Sequence, residues 1–215
     1  MKKWSILFPI ICIAILLWIE QGLEVSYMWK TAAKVLLFFA IPFFFLKATT
    51  FQFLHVKKIQ KKSMMLALGL GIVIILTILG AFILLMDSID LNALQLDLET
   101  RVGVTASVFP FVALYILFGN SFLEEYFFRG LLVELLRGSK LKWFLPSFFF
   151  AIYHVAIFLP WFEWPILVLA VFGLWIGGLI FQWLNEKSGT IFPSWIIHMC
   201  ADIGVLLIGV YMFYL

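Results

Sequence analysis

Charge is scarce in this chain: 13% of its 215 residues are Asp, Glu, Lys or Arg, against 65% hydrophobic and 19% aromatic. A soluble domain carries about a quarter charged residues, so this composition, with a mean hydropathy of +1.12, excludes one and identifies an integral membrane protein. Cysteine is almost absent. Cys12 and Cys200 both fall in apolar runs, which excludes a disulfide framework and a cysteine metal cluster. Long polar stretches are limited to the surroundings of residues 50–63 and to "DSIDLNALQLDLETR" at 87–101, leaving no room for a soluble domain, a low-complexity tract or a repeat. The net charge of +3 reads as a topology signal, with no nucleic-acid partner expected. The Lys57–Lys62 run reads as a solvated loop near anionic lipid, and His55 as a solvated residue beside it.

What the chain has is apolar length. Runs of about 20 residues suffice to cross a bilayer as helices, and the polar clusters divide the sequence into Trp4–Ile19, Thr31–Phe45, Met64–Met86, Val104–Phe122 continuing toward Leu136, Leu141–Leu159, Trp164–Leu184 and Ile191–Leu215. The expected fold is therefore all-α, a polytopic transmembrane helical bundle of about seven spans with its site inside the bundle. The second run is short and the fourth long, so six or eight spans also fit. Lys2 and Lys3 precede the first run like a signal peptide, but "LLWIEQGLE" offers no small-x-small cleavage site, and the run reads as an uncleaved anchor. With the N-terminus cytoplasmic, Lys2, Lys3, Lys47, Lys57, Lys58, Lys61, Lys62, Arg129, Arg137, Lys140, Lys142 and Lys187 lie toward the cytoplasm, against Lys30, Lys34 and Arg101 outside. The expected location is a multi-pass protein of a bacterial cell membrane. Gly173-Leu174-Trp175-Ile176-Gly177 has the spacing that lets two helix backbones approach closely, and reads as packing.

Polar side chains inside the apolar runs are the exceptions that need a reason, because an ionised group at mid-membrane costs several kcal/mol unless it faces the bundle interior and finds partners. They are Glu124, Glu125, Arg129, His154, His198 and Asp202. Residues four apart share a helix face, so Glu125 meets Arg129 and His198 meets Asp202. Both pairings can be purely structural. Glu124 is turned onto a neighbouring face with no cation in helical reach, and a carboxylate in an apolar pocket suits a general acid or base. At 1.5 Å per residue, Glu124 lies roughly 20 Å from Arg137, His154 roughly 18 Å from Lys142 and His198 roughly 17 Å from Lys187. Three helices thus bring their polar residues to one depth, which points to one shared site. A glutamate, two histidines and a further carboxylate can activate water and stabilise an oxyanion, as amide hydrolysis requires. Other intramembrane hydrolase patterns fail: there is no H-E-x-x-H, Gly119-Asn120-Ser121-Phe122 lacks the second glycine of a G-x-S-G, and no G-x-G-D aspartate pair occurs.

The sequence resembles the CPBP (CAAX protease and bacteriocin-processing, or Abi) intramembrane proteases, which include the type II CAAX prenyl endopeptidases. Their ordered motifs E-E-x-x-x-R, F-x-x-x-H and H-x-x-x-[N/D] correspond here to Glu124-Glu125-Tyr126-Phe127-Phe128-Arg129, Phe150-Ala151-Ile152-Tyr153-His154 and His198-Met199-Cys200-Ala201-Asp202. The resemblance spans about residues 105–210. It divides the chain into N-terminal transmembrane helices with an acidic outer loop, 1–103, and a catalytic helical core, 104–215. It implies that Glu124 polarises water with Glu125 and Arg129 supporting it, that His154 positions the water or binds a metal, and that His198 and Asp202 bind metal or serve the oxyanion. Family members are described both as zinc enzymes and as metal-free glutamate enzymes. The last motif residue is Asn in the better-known eukaryotic members, and Asp202 donates only when protonated, which favours a ligand or histidine-orienting role. Because zinc takes imidazole and carboxylate ligands while keeping a position open for water, the expected ligands of a divalent ion such as zinc are His154, His198 and Asp202, leaving Glu124 as the base. The implied activity is a peptidase, opening toward the cytoplasm, acting on a lipidated CAAX-like or membrane-associated peptide or a bacteriocin or pheromone precursor. A non-proteolytic scaffold or immunity protein of the same fold is the alternative, and a transporter using Glu124 and the histidines as a proton relay is third.

Overall fold

A computed structural model describes residues 4–23, 25–45, 52–56 and 59–215. Among the described residues there are helices and turns but no strands. Lys2, Lys3, Lys47, Lys57 and Lys58 of the expected basic side lie outside the described residues. His55 is exposed, as its sequence surroundings imply.

The helices follow the apolar runs. They are α1 (Trp4–Gly22), α2 (Tyr27–Phe44), α3 (Lys61–Ser88), a short surface helix α4 (Leu91–Asp97), α5 (Phe109–Leu135), α6 (Leu145–Phe158), α7 (Trp164–Ser188) and α8 (Phe192–Tyr214). Proline stands in the first turn of α5, α6, α7 and α8, where its missing N–H costs nothing and its fixed φ suits helix entry. Asp90 caps α4 by accepting from the Ala93 N–H at 2.9 Å. Gly189, at φ +69°, ends α7 and turns the chain back into α8, a conformation that side chains with a Cβ resist.

Five helices, α2, α3, α5, α7 and α8, are long and apolar enough to cross a membrane. The chain is an integral membrane helical bundle. α1 and α6 are shorter apolar helices. The fifth expected span, Leu141–Leu159, shrinks to α6 because Lys140–Trp143 winds as a 3-10 turn ahead of Pro146. The second starts at Tyr27 instead of Thr31, and the fourth at Phe109 instead of Val104, where Pro110 opens the helix.

The bundle has two packing seams. In the first, α1, α2, α5 and α6 close around an aromatic centre: Phe38 stacks on Phe127 with centroids 4.0 Å apart, and Phe128 meets Phe150 edge-on at 5.5 Å. In the second, α3 lies along α8, with small residues admitting close neighbours, such as Gly71 against Cys200 and Gly204 against Ile78. The remaining face of α3, including Leu68, Ile72, Val73, Leu76 and Leu84, is exposed and mostly apolar, and Thr77 on it folds its hydroxyl back onto the Val73 carbonyl. That surface suits hydrocarbon. Gly173 and Gly177, expected to mediate packing, face open space; the close approach on α7 falls one residue later, at Gly178, which meets Arg129 of α5 and Ser147 of α6.

Two stretches of α5, Tyr115–Asn120 and Glu125–Leu131, wind as π turns on either side of Glu124. Such turns hold an extra residue per hydrogen-bonded loop and re-aim the side chains that follow them. Here they aim a charged run inward, and every residue from Leu123 to Leu132 is buried.

Candidate active site

Four helices meet around Glu124. α5 supplies Glu124, Glu125 and Arg129, α6 supplies His154, α8 supplies His198 and Asp202, and α2 supplies Lys34. The six residues expected from the sequence are thus brought together around Glu124, and a seventh joins them.

Glu125 is the fully partnered carboxylate. Its side chain is 0% exposed. Arg129 Nη1 lies 3.1 Å from Oε1, His198 Nδ1 donates to Oε1 at 2.9 Å, and Ser194 Oγ donates to Oε2 at 2.5 Å. Ser194 in turn accepts from Asn185 Nδ2 at 2.7 Å. The Arg129 guanidinium makes its charge contact without hydrogen-bond alignment and lies 3.9 Å over the Phe150 ring, with Phe181 at 5.1 Å. Burial among aromatic faces is thereby offset by charge and by the ring quadrupoles.

Glu124 is buried as deeply, 1% exposed, but is differently held. Its Oε1 accepts from Lys34 Nζ at 3.1 Å and from Asn120 Nδ2 at 3.0 Å. Its Oε2 has no hydrogen-bond partner among the described residues and faces His154 Nε2 at 3.9 Å and His198 Nε2 at 3.7 Å. These separations are too long for direct hydrogen bonds and leave a point between the three atoms that a water could bridge. Glu124 has no cation within helical reach on α5, as its spacing implies, and finds one across the bundle in Lys34 of α2.

Both imidazoles are oriented through their other nitrogen. His154 Nδ1 pairs with the Phe150 carbonyl oxygen at 2.7 Å, and His198 Nδ1 pairs with Glu125. A donor at Nδ1 leaves Nε2 of a neutral imidazole as an acceptor. Phe150 therefore does three things: its carbonyl orients His154, its ring meets both imidazoles edge-on at 4.6 and 5.5 Å, and the same ring carries Arg129. This gives the F-x-x-x-H spacing a physical content. Asp202 Oδ1 stands 3.8 Å from His198 Nε2.

Zinc requires three donors converging on one point about 2.0–2.2 Å from each. Among the described residues no group of three or more His, Cys, Asp or Glu side chains is arranged to hold a metal ion. Glu124, not Asp202, faces both imidazoles, so the expected ligand set of His154, His198 and Asp202 does not fit as drawn.

Sequence reasoning missed Lys34, Asn120 and Ser194. A lysine inside an apolar run was the available signal for the first, since its ammonium must find a partner within the bundle. One turn before Lys34 on α2, Lys30 binds Glu20 at 2.7 Å, and Arg101 bridges Glu20 and Asp97. Trp161 Nε1 donates to Asp97 at 2.7 Å. The Arg101 hydrogen bonds beside it hold the Asp97 carboxyl below its ordinary range.

Residues 106–204 match the family described as type II CAAX prenyl endopeptidase, Rce1-like. No curated protein and no solved structure matches the chain. The matched segment contains every expected site residue and excludes Lys34. A protease of the CAAX type acts on a peptide or protein at the membrane.

Proposed function

We propose that this chain, whose residues 106–204 form an Rce1-like type II CAAX prenyl endopeptidase domain, hydrolyses a peptide bond with a water held between Glu124 and the two imidazoles. The observation that carries this reading is the unpartnered Oε2 of Glu124 facing both Nε2 atoms while Oε1 is already satisfied. A carboxylate kept only for structure has no reason to leave one oxygen unpaired in a buried site.

In the proposed reaction Glu124 Oε2 accepts a proton from the water, whose oxygen bonds to the scissile carbonyl carbon. His154, oriented by the Phe150 carbonyl, accepts the water's second hydrogen bond. His198 as an imidazolium, its Nδ1–H on Glu125, presents Nε2–H to the oxyanion. The carbon–nitrogen bond then breaks and the proton on Glu124 passes to the leaving amine. Asp202, beside His198, orients and balances that imidazole. No step runs through a metal, because the donor set does not converge on one.

The substrate class we assign is a lipidated CAAX-like or membrane-associated peptide, or a bacteriocin or pheromone precursor, in a bacterial cell membrane. The basic cluster of Lys61, Lys62, Arg137, Lys140, Lys142 and Lys187 at one end, against Asp87, Asp90, Asp97, Glu99 and Glu163 at the other, supports a cytoplasmic N-terminus.

Comparative peptidomics of membranes containing the wild-type or the Glu124→Ala protein tests the reading. Peptides that accumulate as cut products only with the wild type are expected, together with full activity of purified protein after chelation. Identical peptide sets would sink the peptidase, and loss on chelation with recovery on adding zinc would transfer the water to a metal.

A further inference from the structure

We propose that Lys34 is a positioning residue of this site, acting through Glu124, so that helix α2, outside the family-matched segment, completes the catalytic arrangement. The inference rests on the peptidase reading for its consequence in turnover, but its geometric content stands independently.

Three features carry it. Lys34 Nζ contacts two side chains on α5, Asn120 Oδ1 at 2.6 Å and Glu124 Oε1 at 3.1 Å, and Asn120 Nδ2 closes the triangle by donating to the same Oε1 at 3.0 Å. The carboxylate is therefore gripped at one oxygen by two donors that also grip each other. A carboxyl group is planar, so fixing Oε1 fixes the direction of Oε2, and that direction is toward His154 and His198. Second, Lys34 is itself held in the fold: its side chain is 14% exposed and its ammonium lies 4.9 Å from the centre of the Tyr153 ring, one residue before His154. Third, the arrangement balances charge. A carboxylate desolvated at 1% exposure is costly without a cation, and Arg129 is committed to Glu125.

A purely structural ion pair would also join α2 to α5, but it would not need the aim of Oε2 to depend on it. The two readings separate on what happens to the histidine nitrogens. In the positioning role, removing the ammonium lets the Glu124 carboxylate rotate, so the Nε2 atoms of both imidazoles lose their neighbour. The Nδ1 atoms, held by the Phe150 carbonyl and by Glu125, do not.

The test uses full-length protein in detergent or nanodiscs, labelled with ¹⁵N in the histidine rings, as wild type, Lys34→Met, Lys34→Arg, Asn120→Ala and, for reference, Glu124→Gln. In Lys34→Met the Nε2 resonances of His154 and His198 should move toward their Glu124→Gln positions with Nδ1 unmoved. Lys34→Arg should restore them, and Asn120→Ala should shift them less. On a fluorogenic reporter peptide carrying a prenylated cysteine four residues from its C-terminus, Lys34→Met should lose about 100-fold in kcat with KM nearly unchanged, the scale of a misplaced catalytic group. Lys34→Arg should recover most of it. Unmoved Nε2 resonances in Lys34→Met, or in Asn120→Ala if the former does not fold, overturn the positioning role. So does wild-type kcat in Lys34→Met. Wild-type protein that leaves the reporter uncut counts against the proposed substrate class alone, and the resonances then decide on Lys34.

Discussion

Two neighbouring carboxylates, Glu124 and Glu125, are equally buried and yet sit in opposite regimes. Around Glu125 every oxygen is matched, by a guanidinium, an imidazole N–H and a hydroxyl that is itself anchored to Asn185. Around Glu124 one oxygen is matched twice and the other not at all. The first pattern is that of a scaffold and the second that of a group with a reaction to perform. What separates them is a turn of about 100° on one helix, which sends Glu125 to α8 and Glu124 to α2.

The contrast makes ordered predictions. Replacing Glu124 by Gln should remove about 10²–10⁴-fold of peptidase turnover, the usual contribution of a general base, while purified protein keeps its helical content by circular dichroism. Wild-type turnover would dissolve the distinction between the two carboxylates.

Arg129→Ala should instead be a stability lesion, costing up to roughly 3–5 kcal/mol because the buried Glu125 loses its guanidinium and keeps only Ser194 and His198 as partners. Thermal melting in detergent should place it below Glu124→Ala, which leaves Lys34 with Asn120 and with its partial exposure. An Arg129→Ala melting temperature equal to that of Glu124→Ala would mean the two environments are equivalent.

A gentler probe of the scaffold is Gly178→Ala. Its added methyl would sit 2.9 Å from Arg129 Nη2 and 3.0 Å from Ser147 Cβ, so it should destabilise by about 1–3 kcal/mol. Gly177→Ala, one residue away and facing open space, should fall within about 0.5 kcal/mol of wild type. The same melting curves decide both, and reversed order would place the tight contact of α7 elsewhere.

The smallest effect is expected outside the site, at Asp97. Its carboxyl titrates below its ordinary value of about 3.9, first because of the Arg101 hydrogen bonds. A depressed folded-state value stabilises at pH above the unfolded value and is lost as pH falls through the folded one. Wild-type melting should therefore weaken slightly as pH drops below the ordinary carboxylate range, and Asp97→Asn should flatten that slope. An unchanged slope would detach Asp97 from the acidic end's ion pairs.

Much of this site was legible in the residues. Glu125 with Arg129 and His198 with Asp202 follow from helical spacing alone, and depth counted from the basic ends brought Glu124, His154 and His198 to one level. The spacing was silent on which nitrogen each histidine turns inward, since that is set by a backbone carbonyl on α6 and by a carboxylate 73 positions away in the chain. It also misjudged Gly173 and Gly177, because a short-residue spacing says that close packing is available on a face but not that another helix covers it.

Composition and apolar run length by themselves determined that this is a membrane helical bundle, because a chain this poor in charge cannot remain in water and a bilayer admits backbone only as closed hydrogen-bonded elements. They determined the local pairs as well, since the helix period is a property of the backbone. The tertiary structure alone decided that Lys34 reaches Glu124 across 90 positions, that Ser194 and His198 both serve Glu125, and that one carboxylate oxygen stays free. Contacts between helices depend on how ridges, rings and π turns rotate each helix about its axis. That rotation is set jointly by all the neighbours, so no single segment contains it.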